Sequence, residues 1–182
     1  MNSNFKKILF TEAELQARVS EIGALIDKKY GEEEIVLIGL LKGAYVFTAD
    51  LARNIKNPNV TVEFMVVSSY KNGESVGEID IKLDLKQPIK GKKVIIVEDI
   101  IDTGRTLNII RQLMIDKGAE SVEIATMCTK PSRREVKVKI DYPSFVIPNE
   151  IVVGYGLDYN AKFRHLPYIA IITDETFEKY KK

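Results

Sequence analysis

Val94, Ile95, Ile96 and Val97 are four β-branched residues in a row, and the run ends abruptly in acid. A strand that is apolar on both faces has to be covered on both, which in a small α/β protein means the middle of a parallel sheet. Glu98, Asp99 and Asp102 crowd the positions where such a strand should end. Asp102-Thr103-Gly104-Arg105-Thr106 then turns the chain towards Leu107, Ile110, Leu113 and Met114, which recur at helical spacing until Gly118.

Strand, acid cluster, Thr/Gly turn and helix each have a chemical use. The first turn of a helix at the carboxyl edge of a parallel sheet leaves backbone N–H groups free, and Gly104 lets an anion come close. Thr103 and Thr106 add hydroxyl donors, so the turn is predicted to cradle a phosphate monoester. Glu98, Asp99 and Asp102 suit other tasks: accepting hydrogen bonds from a sugar diol, coordinating Mg²⁺ or abstracting a proton. A ligand with a phosphate at one end and ribose hydroxyls beside it satisfies both halves.

The rest of the chain supplies a frame for that corner. Thr11-Glu12-Ala13-Glu14 is a capping box, followed by Leu15, Val19, Ile22 and Ile26 on one helical face until Gly31. Ile35 to Leu41 predicts a buried strand, Lys42-Gly43 a turn, and Phe47, Leu51 and Ile55 a second helix. Val60 to Val67 predicts a third element in the series, and the alternation argues a right-handed α/β sheet. The pattern fails in a loop over residues 68–85, where Asn72-Gly73 signals a hairpin and Ile79, Ile81, Leu83 and Leu85 alternate like an antiparallel arm. Ser121 to Thr129 is another expected strand. Phe145 to Pro148, Ile151 to Gly154 and Tyr168 to Thr173 are shorter ones. Residues 130–164, with the N-terminal segment, are expected to form a small hood on a single domain spanning 1–182.

Composition narrows the partners. Lys+Arg 27 against Asp+Glu 26 leaves a net charge of +1, which implies no general attraction for nucleic acid or membrane. No stretch reaches the ~20 apolar residues that span a bilayer, and no signal-peptide core follows Met1, so a cytoplasmic protein is expected. The single cysteine, Cys128, lies in an apolar run and reads as core, and the single histidine, His165, reads as structural. Gly154-x-Gly156 and Gly39-x-x-x-Gly43 lack the endings of dinucleotide and triphosphate loops.

The Val94 to Leu107 run resembles the phosphoribosyl-pyrophosphate signature of the type I phosphoribosyltransferases, in the form typical of their hypoxanthine-guanine branch. The resemblance implies a central, mostly parallel twisted sheet flanked by helices, with a hood and a flexible flap containing Ser69 and Tyr70. It implies that Glu98, Asp99, Asp102, Thr103, Gly104, Arg105 and Thr106 bind the phosphoribosyl group, with Asp102 catalytic. Lys42 and Gly43 resemble the family's pyrophosphate loop, in which the preceding peptide, here Leu41-Lys42, is often cis. Val152 to Asn160 and Phe163-Arg164 are similar to the family's hood. They imply that Arg164 contacts pyrophosphate, that Asp158 joins Glu98 and Asp99 in holding Mg²⁺, and that Val152 and Asp158 present carbonyls to the purine. Lys130 corresponds to a lysine that donates to the purine 6-oxo group, and Ile151 stands where an aromatic often stacks on the base.

The activity so implied is phosphoribosyl transfer to hypoxanthine or guanine, by a homodimer or homotetramer. Two alternatives stay open at this point. One is a phosphoribosyl-pyrophosphate sensor that binds RNA through Lys130, Arg133, Arg134, Lys137 and Lys139; the other is a xanthine or pyrimidine phosphoribosyltransferase.

Overall fold

A computed structural model describes residues 4–69 and 79–181. Its largest sheet has six strands in the order β4-β3-β2-β5-β6-β7. β2 (Ile35–Leu41), β3 (Val60–Ser69), β5 (Lys93–Ile101), β6 (Ser121–Thr129) and β7 (Tyr142–Val146) run parallel, and β4 (Ile79–Leu83) is antiparallel to β3. In register, Ile35 faces both Val60 and Lys93, and Lys93 faces Ser121.

Strand periodicity divides the core into two layers. Ile35, Leu37, Ile95 and Val97 point to the side covered by α1 (Glu12–Tyr30) and α2 (Tyr45–Asn54), against Leu15, Val19, Ile22, Phe47 and Leu51. Val36, Ile38, Val94 and Ile96 point the other way, against Leu107, Ile110 and Met114 of α3 (Arg105–Asp116). The expected capping box opens α1, with Thr11 accepting from the Glu14 amide and Glu14 from the Thr11 amide. No side chain caps α2 or α3, so both helices present uncapped N-termini at the carboxyl edge of the sheet.

A second sheet, in the order β1-β9-β8, brings together β1 (Phe5–Phe10), β8 (Val152–Val153) and β9 (Ile169–Ile172), all antiparallel. A short helix, α4 (Asp174–Tyr180), follows with Thr173 as its cap. This arrangement corrects the expected hood boundaries. Residues 130–164 divide between the two sheets, because Tyr142–Val146 pairs with β6 as the edge strand of the large one. Pro143 lies inside that strand, and an edge strand has one side with no ladder bond for a proline to break. The small sheet takes β8 from that stretch and β1 from the N-terminal segment, as expected, and adds β9 from beyond residue 164.

Within the expected span of 68–85, the alternating arm is β4, antiparallel to β3. Ser68 faces Asp80 and Ser69 faces Ile79 across the β3–β4 pair, and Tyr70 and Asn72-Gly73 lie outside the described residues. Among the described residues, no helix is long and apolar enough to cross a membrane.

Candidate active site

β5 continues four residues beyond the apolar run, so Glu98 and Asp99 are part of the strand rather than of the turn after it. The Glu98 carboxylate accepts the Asp99 amide at 3.2 Å, and the Asp99 carboxylate accepts the Ile100 amide at 2.7 Å. Burial, reinforced by the Asp99 charge, holds the Glu98 carboxyl well above its ordinary range. Burial raises Asp99 as well, offset in part by its hydrogen bonds to Glu98 and Ile100 and by the Arg164 charge. Two neighbouring carboxyls strained in this way have an electrostatic demand for donors or a cation.

Gly104 is the hinge from strand to helix, with φ at 85°. Around it, Glu98, Ile101, Asp102, Thr103, Thr106 and Leu107 line a cavity of about 140 Å³. Its neighbour, of about 360 Å³, shares Glu98 and Thr106 and is walled by Leu41, Gly43, Ser68 and Asp99. The two together form a cleft with a phosphate-sized end beside the helix and a wider end beside the β2–α2 turn.

Three backbone segments meet at the wider end. A Cβ added to Gly43 would sit 1.5 Å from Asp99 Oδ2, and one added to Gly156 would sit 2.0 Å from the Gly43 carbonyl oxygen. Gly156 therefore admits no side chain, since the clash is with backbone, whereas a side chain at Gly43 would have to displace the Asp99 carboxylate. The Leu41-Lys42 peptide is cis, as the resemblance implied. Arg164 donates from Nη1 to the Gly156 carbonyl at 2.7 Å, and its Nη2 lies 2.7 Å from Asp158 Oδ1. Lys42, Gly43, Asp99, Asp158 and Arg164 are thus placed on one rim.

The expected set of Glu98, Asp99 and Asp158 does not close into a protein-only metal cage. Asp158 is engaged by Arg164 and by the Ala161 amide at 2.6 Å, and among the described residues no cluster of three His, Cys, Asp or Glu side chains is arranged for a metal. The donors nonetheless fit magnesium, a hard cation that takes one or two carboxylates and completes its shell with water and substrate oxygens.

Lys130 follows β6, and its amide donates to the Ile101 carbonyl at 3.0 Å. It is half-buried, its Nζ donates to the Glu150 carbonyl at 2.8 Å, and burial lowers its pKa. Ile151 is next in sequence and exposed, and Val152 is buried in β8. Cys128 is buried, and burial pushes its thiol pKa up, in keeping with a core residue.

One group near the cradle stood in the sequence only as part of the candidate RNA-binding patch. Arg133 Nε lies 2.8 Å from Asp102 Oδ1, although the two are misaligned for a hydrogen bond. The adjacent Glu135 and Val136 amides donate to the Thr103 carbonyl at 3.0 and 3.1 Å, and Arg134 donates to Thr129 Oγ1 at 2.6 Å. The segment after Lys130-Pro131 therefore braces the turn from outside. Its signal in the sequence was the Arg133-Arg134 pair, which read as surface charge.

Residues 9–160 match the phosphoribosyl transferase domain family. The hypoxanthine-guanine phosphoribosyltransferase of Streptococcus pneumoniae is 43% identical over 178 residues, covering 97% of this chain and 98% of its own. The hypoxanthine phosphoribosyltransferase of Salmonella typhimurium is 44% identical over 174 residues, covering 93% and 97%. Among solved structures, a hypoxanthine phosphoribosyltransferase from Staphylococcus aureus superposes with a TM-score of 0.92 at 41% identity, covering 100% of both chains. The hypoxanthine phosphoribosyl transferase of Trypanosoma cruzi, studied for the role of its C-terminal region in oligomeric state and activity, gives 0.93 at 36% identity, covering 98% and 97%.

Proposed function

The chain belongs to the phosphoribosyl transferase domain family, and from that premise we propose that it carries a 5-phosphoribosyl group from phosphoribosyl pyrophosphate to N9 of a 6-oxopurine. It is a pentosyltransferase of purine salvage, making IMP from hypoxanthine and GMP from guanine with release of pyrophosphate. What carries the assignment of parts is the meeting of Gly43, Asp99 and Gly156 at one end of a cleft whose other end is the Asp102 to Thr106 turn.

The 5′-phosphate sits on the free amides and hydroxyls of residues 102–106, with Arg105 at the first helical position, and Glu98 and Asp99 grip the ribose diol. Lys42, the Gly43 backbone and Arg164 receive the diphosphate. Glu98, Asp99 and Asp158 are the residues that would hold Mg²⁺, which would supply neutralisation of the charge that builds on the departing diphosphate. The bond from the anomeric carbon to pyrophosphate oxygen breaks as the bond to N9 forms, and Asp102 takes the purine proton at N7. Ile151 covers a face of the base by dispersion. Carbonyls of Val152 and Asp158 border its edge.

Lys130 sets the base class. An ammonium donates and cannot accept, so it pairs with an oxo group and opposes an amino group. The near-balanced charge and the pairing of Arg133 with Asp102 and of Lys139 with Asp141 weigh against the RNA-sensor alternative. Association into a homodimer or homotetramer in the cytoplasm belongs to the same reading, supported by exposed apolar Val146 and Leu83 at the two edges of the large sheet.

A panel of free bases with phosphoribosyl pyrophosphate and Mg²⁺ tests the proposal. Hypoxanthine and guanine should be consumed and adenine and uracil should not. Lys130→Ala should narrow the hypoxanthine preference over adenine by roughly tenfold or more, since an unpaired buried donor costs about 1–3 kcal/mol. Unchanged selectivity would remove Lys130 from base recognition.

A further inference from the structure

The buried carboxylate of Asp50 has no part in the chemistry above, yet three elements converge on it. It lies on α2, the helix that begins just after the Lys42-Gly43 turn. Its Oδ2 accepts from Gln16 Nε2 of α1 at 2.7 Å and from Tyr155 Oη at 2.7 Å, and Oδ1 pairs with Arg53. Asp50 is 6% exposed and Tyr155 3%, so the contact is shielded from water, where a hydrogen bond to a charged acceptor is strongest.

Tyr155 stands between Gly154 and Gly156 with φ at 51°, a left-handed conformation that a tyrosine holds only where its surroundings fix it. Its amide donates to the Leu166 carbonyl at 2.8 Å, the Gly156 amide donates to the Arg164 carbonyl at 3.0 Å, and the Arg164 side chain returns to the Gly156 carbonyl. Gly156 in turn abuts the Gly43 carbonyl. The path is a closed circuit: from Gly43 along α2 to Asp50, across one hydrogen bond to Tyr155, on to Gly156, and back to Gly43. Gly43 is on this circuit and Arg164 is bonded to it at Gly156, whereas residues 102–106 form the turn from β5 into α3 and Lys130 follows β6, outside it.

We propose that the Asp50–Tyr155 hydrogen bond is a positioning strut, which fixes the Gly43 turn against Arg164 and thereby sets affinity for the diphosphate end of phosphoribosyl pyrophosphate. The inference rests on the assignment of Gly43 and Arg164 to pyrophosphate. Neither Asp50 nor Tyr155 touches substrate. Their effect reaches it through the separation of two backbone segments; Val152 and Asp158, which border the purine, flank Tyr155 on the same stretch, so the larger effect should be read at the diphosphate and only a small one at the base.

Tyr155→Phe keeps the ring and its packing, removes Oη, and leaves Asp50 its partners Gln16 and Arg53. In steady-state assays of the full chain, it should raise KM for phosphoribosyl pyrophosphate roughly tenfold, as expected for most of one charged hydrogen bond, with KM for hypoxanthine changed less than about twofold. Pyrophosphate inhibition should weaken in parallel. Asp50→Ala should have a similar effect, and the double variant should be no worse than the more affected single, because both remove the same strut. Arg164→Ala is the reference. If it raises KM for phosphoribosyl pyrophosphate and Tyr155→Phe does not, the strut is overturned while the pyrophosphate assignment stands. If Arg164→Ala leaves KM unchanged, that assignment falls and the strut falls with it. A loss of kcat in Tyr155→Phe with both KM values unchanged would likewise overturn the strut, since it reports only a smaller folded fraction.

Discussion

At Gly43 the missing side chain is what admits the acid. A Cβ there would overlap Asp99 Oδ2 at 1.5 Å and Cγ at 2.3 Å, and both belong to the movable end of a side chain rather than to backbone. Gly43→Ala should therefore fold, with Asp99 rotated out of the cleft. A displacement of that size at a substrate-positioning group costs on the order of a hundredfold in rate. The expected outcome is a kcat/KM lowered about a hundredfold with a melting temperature near that of the parent, checked by calorimetry beside kinetics. Gly43 and Asp102 stand out in the sequence because each sits at a strand end with a motif around it, whereas Lys130 stands out only through the family resemblance. Asp50 and Tyr155 do not stand out, being 105 positions apart and linked by one hydrogen bond that no local spacing encodes. Arg133 was hidden for a related reason: its partner Asp102 lies on a different strand-to-helix corner.

Among the elements, those with strong periodicity and clear ends were legible. The α1 helix has its capping box, its apolar stripe and Gly31 at its end, and the structure has all three. β5 was legible in place and not in length, because Glu98 and Asp99 read as the end of a strand that continues to Ile101. β7 was misplaced because Pro143 and the charged stretch before it argue against a sheet interior, which an edge position tolerates. β1 carries Lys6 and Lys7 in its middle, and α4 is too short to show a helical period, so neither could be drawn from pattern. The capping box gives a test at this scale. Thr11→Ala removes the acceptor for the Glu14 amide, at a cost of about 1 kcal/mol, and leaves the cleft untouched. Urea denaturation should show the midpoint lowered with an unchanged slope, and turnover should be the same as in the parent.

Across the whole molecule, chemistry and stability lie at opposite poles of the large sheet. The cleft occupies the carboxyl ends of β2, β3 and β5, whereas Glu123 sits near the amino end of β6. There its carboxylate accepts from Tyr30 Oη at 2.7 Å and Tyr142 Oη at 2.8 Å and pairs with Lys29, tying α1 to β6 and β7. Burial by itself would raise the Glu123 pKa, but hydrogen bonds from Lys29, Tyr30 and Tyr142 outweigh it and hold the group below its ordinary range. A carboxyl lowered in the folded state contributes stability that is complete above its unfolded pKa, about 4.3, and is lost as pH falls through the folded value. Glu123→Gln should therefore cost about 1–3 kcal/mol at neutral pH, the worth of hydrogen bonds to a charged acceptor, and that difference from the parent should shrink below about pH 4. Because the cluster is remote from Asp102 and Lys130, the pH profile of turnover should not move. Urea midpoints measured at about pH 7, 5 and 3 decide the matter: a difference undiminished at the lowest pH would mean that Glu123 stabilises by packing and not by its charge.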